Sequence, residues 1–245
     1  MNLQNLDSIN KTKSDYIKYI VSTLESKEKK VIFYLNSYSY YLISKDMEFS
    51  KAFISADKIA CDGVSIKLLF RLLHHQRIEK VSFNHLFYDY LQNYFSNQNY
   101  SVFLLGGKEK TVKYAATLLS QNNNFIKVKG FTNGYFDINS DSEIIIKKIN
   151  ESKTNILLVG MGMPLSEKWI YKYRDKLNPM LVIAVGNLFD LISGEKKIAP
   201  KYLYNSPFEW SYRMIQEPRR LFLRYLKANT FLIKELVTGI LARWI

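Results

Sequence analysis

Short runs of apolar and β-branched residues alternate with longer amphipathic stretches along this chain, and that alternation constrains the fold more than any other feature. It predicts an α/β protein in which crossover helices connect the strands of a parallel sheet. The apolar runs are nearly unbroken, as expected for strands that are buried on both faces. The predicted strands are Val31–Asn36, Lys58–Cys61, Ser101–Leu105, Phe125–Val128, Asn155–Val159 and Met180–Val185.

The amphipathic stretches predict helices between and after these strands. We expect a break at Pro218 and a long final helix from there into Lys234. The other predicted helices are Ser14–Ser26, Tyr40–Lys51, Ser65–His74, Asn84–Ser96, Lys110–Ser120, Asp141–Glu151, Leu165–Leu177 and Pro207–Gln216. We therefore predict a Rossmann-like catalytic domain over residues 1–200, with a mainly parallel sheet of about six strands flanked by helices. A basic, aromatic helical appendage is predicted over residues 201–245.

Composition and charge indicate which binding partners and which cellular compartment to expect. The 245 residues carry a formal net charge of +13, so polyanions are expected partners: nucleic acid, anionic lipid, or nucleotide and polyprenyl phosphates. A single cysteine, Cys61, excludes an internal disulfide and a cysteine zinc cluster. The N-terminal residues lack the apolar region of a secretory signal, and no stretch reaches the ~18 apolar residues that span a bilayer. These features predict a cytoplasmic protein and leave contact with a membrane surface open.

Several predicted strands are followed by glycine-containing turns: Asp62-Gly63, Gly106-Gly107, Gly160–Gly162 and Gly186-Asn187. Ligands of open α/β sheets bind beyond the carboxyl ends of the strands, where glycine lets the backbone approach a phosphate. The turns therefore fit a nucleotide-type site, although turns of this kind need glycine whether or not a ligand binds. The sequence GMGMPL lacks the third glycine of a dinucleotide fingerprint because Leu165 occupies that position, which argues against an NAD site.

Two polar residues at strand ends are candidates for chemistry. Asp62 can act as a general base, and Asn36 can bind a sugar or orient that base, although both residue types are also common in turns and caps. Arg213, Arg220 and Arg224 share one face if their helix is continuous, which suits phosphate oxygens as well as an ordinary solvated surface. No Asp-x-Asp pair is present, so a metal-independent mechanism is predicted.

Taken in order, several strings resemble the WecG/TagA/CpsF family of bacterial glycosyltransferases (glycosyltransferase family 26). The resemblance covers about Val31 to Leu226. It rests on CDG at 61–63, FLLGGKE at 103–109, GYF at 134–136, LLVGMGMPLSEKW at 157–169, VGNLFDLISGEKKIAP at 185–200 and FEWSYRMIQEPRRL at 208–221.

The resemblance implies an α/β enzyme that moves a sugar from a UDP-sugar to a polyprenyl-diphosphate-linked saccharide in the assembly of teichoic acids, capsules or exopolysaccharides. It also implies inversion at the anomeric carbon without metal or other cofactor, at the inner face of the cell membrane. A homo-oligomer is compatible with the apolar tail. Nucleic acid is not an expected partner, because the sequence contains no recognisable nucleic-acid-binding module.

The resemblance also assigns residues. It implies that Asp62 is the base, that Asn36 belongs to the catalytic site, and that Arg213 and Arg220 stabilise the diphosphate leaving group. Glu167 contacts the donor or caps its helix in this interpretation. The residues expected to bind substrate are Gly63, Gly106, Gly107, Gly160, Gly162, Pro164, Ser166, Glu167, Phe189, Asp190, Arg213 and Arg220.

The chain departs from the family pattern at positions expected around the sugar and the acceptor. Tyr34 replaces a threonine, Ser166 replaces a glutamine, and His85 falls where the family has an aspartate. The N-acetylmannosamine specificity of well-known members therefore does not transfer to this chain. Two alternatives remain open: a UDP-sugar-binding subunit without activity and, from the charge alone, a basic nucleic-acid-binding protein.

Overall fold

The strands form one parallel sheet in a computed structural model that describes residues 9, 11–121, 126–204, 206 and 208–241. They are β1 (Lys30–Leu35), β2 (Lys58–Cys61), β3 (Ser101–Gly106), β4 (Lys127–Thr132), β5 (Ile156–Gly160) and β6 (Leu181–Ala184). Their spatial order is β2-β1-β6-β5-β3-β4, and every neighbouring pair is parallel. The predicted Rossmann-like α/β class is confirmed.

Helices connect and cover these strands. They are α1 (Lys13–Ser26), α2 (Ser37–Lys45), α3 (Met47–Ile54), α4 (Val64–Leu73), α5 (Phe83–Leu86), α6 (Gln92–Asn97), α7 (Glu109–Gln121), α8 (Ser142–Glu151), α9 (Leu165–Tyr173), α10 (Leu188–Ile192), α11 (Glu209–Gln216) and α12 (Pro218–Leu241). A π-helical turn over Phe87–Leu91 joins α5 to α6, and 3₁₀ turns cover Arg174–Lys176 and Lys201–Leu203.

The prediction of one helix over Tyr40–Lys51 is wrong, because Asp46 separates α2 from α3. The Asp46 side chain accepts a hydrogen bond from the Phe49 N–H and so caps α3. The Lys168 Nζ lies 2.8 Å from an Asp46 carboxylate oxygen, which holds the break against α9. A side chain that caps a new helix competes with continuation of the preceding one.

Other boundaries differ at element ends. The strand predicted at Phe125–Val128 begins at Lys127 and continues to Thr132, and Phe125 lies outside the described residues. Likewise, Pro207 lies outside them, and the helix predicted from it begins at Glu209. The final helix continues past Lys234 to Leu241, whereas the helix predicted to Leu177 ends at Tyr173.

The sheet is buried on both faces. One face packs against α1, α5, α7 and α10 through residues such as Tyr16, Val112 and Phe189. The opposite face packs against α2, α3, α4, α8, α9 and α12, with Trp169 and Leu232 in that core. The helix that follows β6 therefore lies on the opposite face from those that follow its neighbours, β1 and β5. Such a reversal opens a crevice at the carboxyl edge of the sheet.

The C-terminal helix α12 crosses the helices that follow β1 and β2. Leu232 is buried in the core, and the Phe231 ring contacts the rings of Tyr40 and Tyr41 on α2. Gly239 is packed so closely that a Cβ there would lie 2.8 Å from a Leu73 methyl carbon on α4. None of the described helices combines the length and the apolar character needed to cross a membrane. The division into two domains at residue 200 stays a prediction.

Candidate active site

Asp62 follows β2 directly and lies half-buried at the carboxyl edge of the sheet. Its N–H donates to the Leu35 carbonyl at 2.8 Å, which extends the pairing of β2 with β1 by one residue. Within the described part of the chain, its carboxylate forms no hydrogen bond or ion pair, so both oxygens are available to a ligand. The next residue, Gly63, is the N-cap of α4.

Asn36 follows β1 and caps α2. Its Oδ1 accepts hydrogen bonds from the Tyr38 and Ser39 N–H groups, both at 3.0 Å, while the Ser39 hydroxyl accepts from the Asn36 N–H. This reciprocal capping box gives Asn36 a structural task that needs no ligand. Its assignment to the catalytic site stays a prediction.

The glycines that end β3 and β5 allow two backbones to touch. A Cβ on Gly106 would lie 2.3 Å from the Gly160 carbonyl carbon, and one on Gly160 would lie 2.9 Å from the Phe189 ring. Gly107 donates to the Gly160 carbonyl at 3.1 Å. Close packing alone therefore explains why the chain has glycine at Gly106 and Gly160, without any role in ligand binding. Phe189 is buried against them, so its position fixes the shape of these turns.

The turn between β5 and α9 is more open than the contact between Gly106 and Gly160. Gly162 has φ +86°, and a Cβ there would meet nothing within 4 Å, so its left-handed backbone rather than crowding favours glycine. The Met163–Pro164 peptide is cis, and Pro164 is the N-cap of α9. Gly186, after β6, is also surrounded by open space.

Ser166 and Glu167 are buried in the first turn of α9. The Ser166 hydroxyl accepts from the Met161 N–H at 3.1 Å, which fixes the turn. The Glu167 Oε2 is buried without a hydrogen-bond partner. Burial raises the pKa of the Glu167 carboxyl from 4.5 to about 7, against a smaller lowering effect of the Arg224 charge. A buried carboxyl of this kind exchanges its proton near neutral pH.

Arg224 of α12 lies near Glu167. Its guanidinium carbon lies 4.1 Å from the Tyr38 ring centroid, and one of its terminal nitrogens lies 4.0 Å from the Met163 sulfur. Burial lowers the pKa of this guanidinium, which nevertheless stays charged at neutral pH. The sequence predicted one shared face for Arg213, Arg220 and Arg224 if their helix were continuous, but the break after Gln216 puts Arg213 on a different helix.

Asp190 and Arg220 are joined through two other charges. Lys196 forms ion pairs with Asp190 and with Glu217, the second at 3.0 Å. Arg220 donates from Nε and from one terminal nitrogen to the two Glu217 carboxylate oxygens, at 3.0 and 2.5 Å. The chain of charges therefore connects α10 to the start of α12, and Arg220 has to exchange part of its Glu217 contact to bind an anion.

A buried ion pair beside Asp62 was not predicted from sequence. Lys80 pairs with Glu209, the first residue of α11, and both side chains are less than one tenth exposed. Arg213 lies one turn further along α11, 3.8 Å from a Glu209 oxygen. Burial raises the pKa of Glu209, and the charge of Asp62 raises it further, which places both carboxylates in one electrostatic neighbourhood.

His85 lies against the same pair. Its ring stacks on Tyr204 at a centroid distance of 3.4 Å, and its Nε2 lies 3.4 Å from a Glu209 oxygen. Burial, with the nearby charges of Lys80, Arg213 and Lys13, lowers the pKa of His85 to about 3. The imidazole is therefore neutral at physiological pH, and the surroundings carry positive potential.

The edge of the sheet thus combines a free carboxylate, open glycine turns and arginines from the C-terminal helices. Burial raises the pKa of Tyr225 on α12, and the charges of Arg213 and Arg224 oppose that shift. Among the described residues, no group of three or more His, Cys, Asp or Glu side chains is arranged to hold a metal ion. Metal-independent transfer stays a prediction.

These features define an α/β protein whose candidate site lies at the carboxyl edge of a parallel sheet. The model of the family described as glycosyl transferase WecG/TagA/CpsF matches residues 1–244, and the chain belongs to that family. It is a glycosyltransferase, and the resemblance inferred from its motifs is confirmed.

Curated relatives carry one shared name, N-acetylglucosaminyldiphosphoundecaprenol N-acetyl-beta-D-mannosaminyltransferase. The protein from Bacillus subtilis (strain 168) is 26% identical over 219 residues, covering 89% of this chain and 84% of its own length. The protein from Bacillus spizizenii (strain ATCC 23059 / NRRL B-14472 / W23) is 22% identical with the same coverage. The Staphylococcus aureus (strain MW2) protein is 31% identical over 120 residues, covering 49% of this chain and 46% of its own length.

Proposed function

We propose that this chain transfers a hexose or N-acetylhexosamine from a UDP-sugar to a saccharide linked to polyprenyl diphosphate, in the synthesis of a bacterial surface polysaccharide. Family membership and the names of the relatives support the acceptor class. The observation that carries the proposal is the unpaired carboxylate of Asp62, half-buried at the carboxyl edge of the sheet directly before α4.

In the proposed reaction, Asp62 accepts the proton of the acceptor hydroxyl. The hydroxyl oxygen attacks the anomeric carbon of the donor sugar, and the bond from that carbon to the β-phosphate oxygen breaks. UDP leaves with the bonding electron pair, and the anomeric configuration inverts. General-base catalysis of this kind contributes about 10²–10⁴-fold to the rate.

The arginines at the start of the C-terminal helices are suited to the leaving group. Arg213 has only a long 3.8 Å contact with Glu209, so its guanidinium has donors free for a diphosphate. Arg220 is held by Glu217, and an approaching diphosphate competes with that carboxylate. Charge that develops on the β-phosphate is stabilised most when such donors are already in position.

The outer surface of α11 and α12 suits an acceptor embedded in a membrane. Large apolar side chains are exposed there, among them Ile215 at 80% exposure and Phe222 at 56%. Arg219 and Lys227 are exposed on the same helix. Apolar side chains beside cationic ones are typical of helices that lie in a membrane interface. We therefore place the enzyme on the inner face of the cell membrane in this proposal.

The test measures UDP release from a panel of UDP-sugars with a detergent-solubilised polyprenyl-diphosphate saccharide, for wild type and Asp62→Asn. Asp175→Asn, in an exposed 3₁₀ turn away from the site, is the matched control. We expect acceptor-dependent release with one donor, reduced about 10²–10⁴-fold by Asp62→Asn and unchanged in the control. Activity that survives in Asp62→Asn excludes this base. UDP binding without turnover on any donor favours the alternative of an inactive binding subunit.

A further inference from the structure

A basic groove begins at α4, immediately beyond Asp62. A cavity of about 650 Å³ is lined by the start of α4 and α1, the segment around Lys80 and Ser82, and Tyr204. A second cavity of about 460 Å³ shares Lys67 and Arg71 with the first and continues to Arg77. We call the two together the basic groove. Val64, which lines it, is two residues from Asp62.

Cations outnumber anions in the basic groove, because six basic side chains line it against the carboxylates of Glu79, which borders both cavities, and Asp89. Lys67, Arg71 and Lys13 are exposed and form no ion pair within the residues that the structure describes. Lys80 also lines the groove, but its charge is balanced by Glu209. Three unpaired cations around one cavity suit a multiply charged anion, because each contributes a charge-assisted hydrogen bond to a phosphate oxygen.

An apolar stripe runs beside these cations on the same helix. Leu68 lines the larger cavity and is 47% exposed, and Leu72, one turn further along α4, is 39% exposed. Lys67 and Arg71 occupy the adjacent positions, also one turn apart. Residues four apart lie on the same side of a helix, so α4 presents a cationic row and an apolar row side by side.

We propose that the basic groove binds the acceptor, with its diphosphate on Lys67, Arg71 and Lys13 and its first isoprene units along Leu68 and Leu72. A phosphate-bearing lipid matches both rows, whereas a soluble nucleotide matches only the cationic one. This inference rests on the proposed function.

The location of the groove separates the acceptor from the donor. The turns after β3, β5 and β6 lie on the other side of β1 from the groove, which borders the helix after β2. Asp62, which directly follows β2, lies between the two. A base in that position reaches an acceptor hydroxyl that enters from the groove and a donor sugar held at the glycine turns.

The test compares Lys67→Ala/Arg71→Ala with Lys51→Ala/Lys172→Ala, which removes the same charge from exposed positions on α3 and α9. Steady-state UDP release with undecaprenyl-diphosphate N-acetylglucosamine gives the KM for acceptor and for donor. We expect the groove variant to raise the acceptor KM about tenfold or more and to leave the donor KM and kcat unchanged. Lys67→Arg/Arg71→Lys, which keeps both charges, should restore most of the acceptor affinity.

Leu68→Ser tests the apolar row. It should raise the KM for the undecaprenyl acceptor and leave that for a farnesyl-length acceptor nearly unchanged. An effect that is equal for both chain lengths would contradict a role for Leu68 in holding the isoprene units. Thermal unfolding of each variant, expected to match wild type because the replaced residues are exposed, shows that folding is intact.

A binding measurement separates this inference from the proposed function. Co-sedimentation uses phosphatidylcholine vesicles that contain undecaprenyl diphosphate, and phosphatidylglycerol vesicles of equal charge. We expect the Lys67→Ala/Arg71→Ala variant to lose binding to the first and not to the second. Equal loss of binding to both kinds of vesicle would show that the groove is only a general surface for anionic lipids. An acceptor KM that is unchanged in the variant would overturn the inference. Selective vesicle binding without turnover of any UDP-sugar would support the groove and refute the proposed reaction.

Discussion

The buried carboxyl of Glu167 makes the stability of the protein depend on pH in a defined window. Its pKa is about 7 in the folded chain against 4.5 for the unperturbed group, because burial disfavours the charged form. Between these values the folded chain holds a proton that the unfolded chain releases. The free energy of unfolding therefore falls as pH rises from 4.5 to about 7, and it levels off above that.

The size of the effect follows from the two pKa values. At about 1.4 kcal/mol per pKa unit, ionisation of Glu167 costs the folded state about 3 kcal/mol at pH 8. Glu167→Gln keeps the shape of the side chain and removes the ionisation. Any cost of burying the amide is the same at every pH, so the difference between variant and wild type should shift by about 2–3 kcal/mol in favour of the variant between pH 5 and pH 8.

Urea unfolding at several pH values, followed by tryptophan fluorescence, measures this difference. Glu151→Gln on α8, an exposed position with an i,i+4 lysine partner, is the control and should follow the wild-type pH dependence closely. Arg224→Met removes the nearby cation that lowers the pKa of Glu167, so it should extend the window of declining stability to higher pH. Identical pH dependence for wild type and Glu167→Gln would refute the reasoning.

Two further predictions concern stability at the site. Gly160→Ala should destabilise the protein by about 1–3 kcal/mol, since the added Cβ would lie 2.9 Å from the Phe189 ring. The midpoint of its urea unfolding should therefore fall. Gly162→Ala, at an open turn, is the control that reports only backbone strain. Lys80→Ala leaves the buried Glu209 with the longer, 3.8 Å contact of Arg213 and should cost about 3 kcal/mol in chemical denaturation, the lower end of the range for breaking a buried pair. Lys80→Met/Glu209→Leu should recover most of this loss. A Lys80→Ala protein as stable as wild type would show that the pair is solvated.

Burial on both faces made most of the strands predictable. The cores of β1, β3, β5 and β6 are almost unbroken apolar runs, so their positions were found and only their ends moved by a residue or two. The edge strand β4 was harder, because it contains Lys127 and Lys129 and is only partly buried. Its sequence carries too few apolar residues to indicate where it ends.

Long-range pairing explains what the sequence did not reveal at the site. The order of motifs led to Asp62 and to the glycine turns, because strand ends carry a local signal. Lys80 and Glu209 are separated by 129 positions, and neither has a neighbour that indicates an ion pair. Glu167 likewise comes near Arg224 only because α12 packs across α2 and α4. Such contacts depend on tertiary packing, which local patterns do not encode.

The position of β6 has a consequence for how the catalytic centre assembles. Leu181–Ala184 is the only strand that joins the β1–β2 pair to the β5–β3–β4 group in the described sheet. Asp62 belongs to the first group and the turns at Gly106 and Gly160 to the second. Until the β6 segment inserts, the two halves of the proposed reaction centre belong to separate pieces of the sheet, so catalytic competence should arise as a late, all-or-none event in folding.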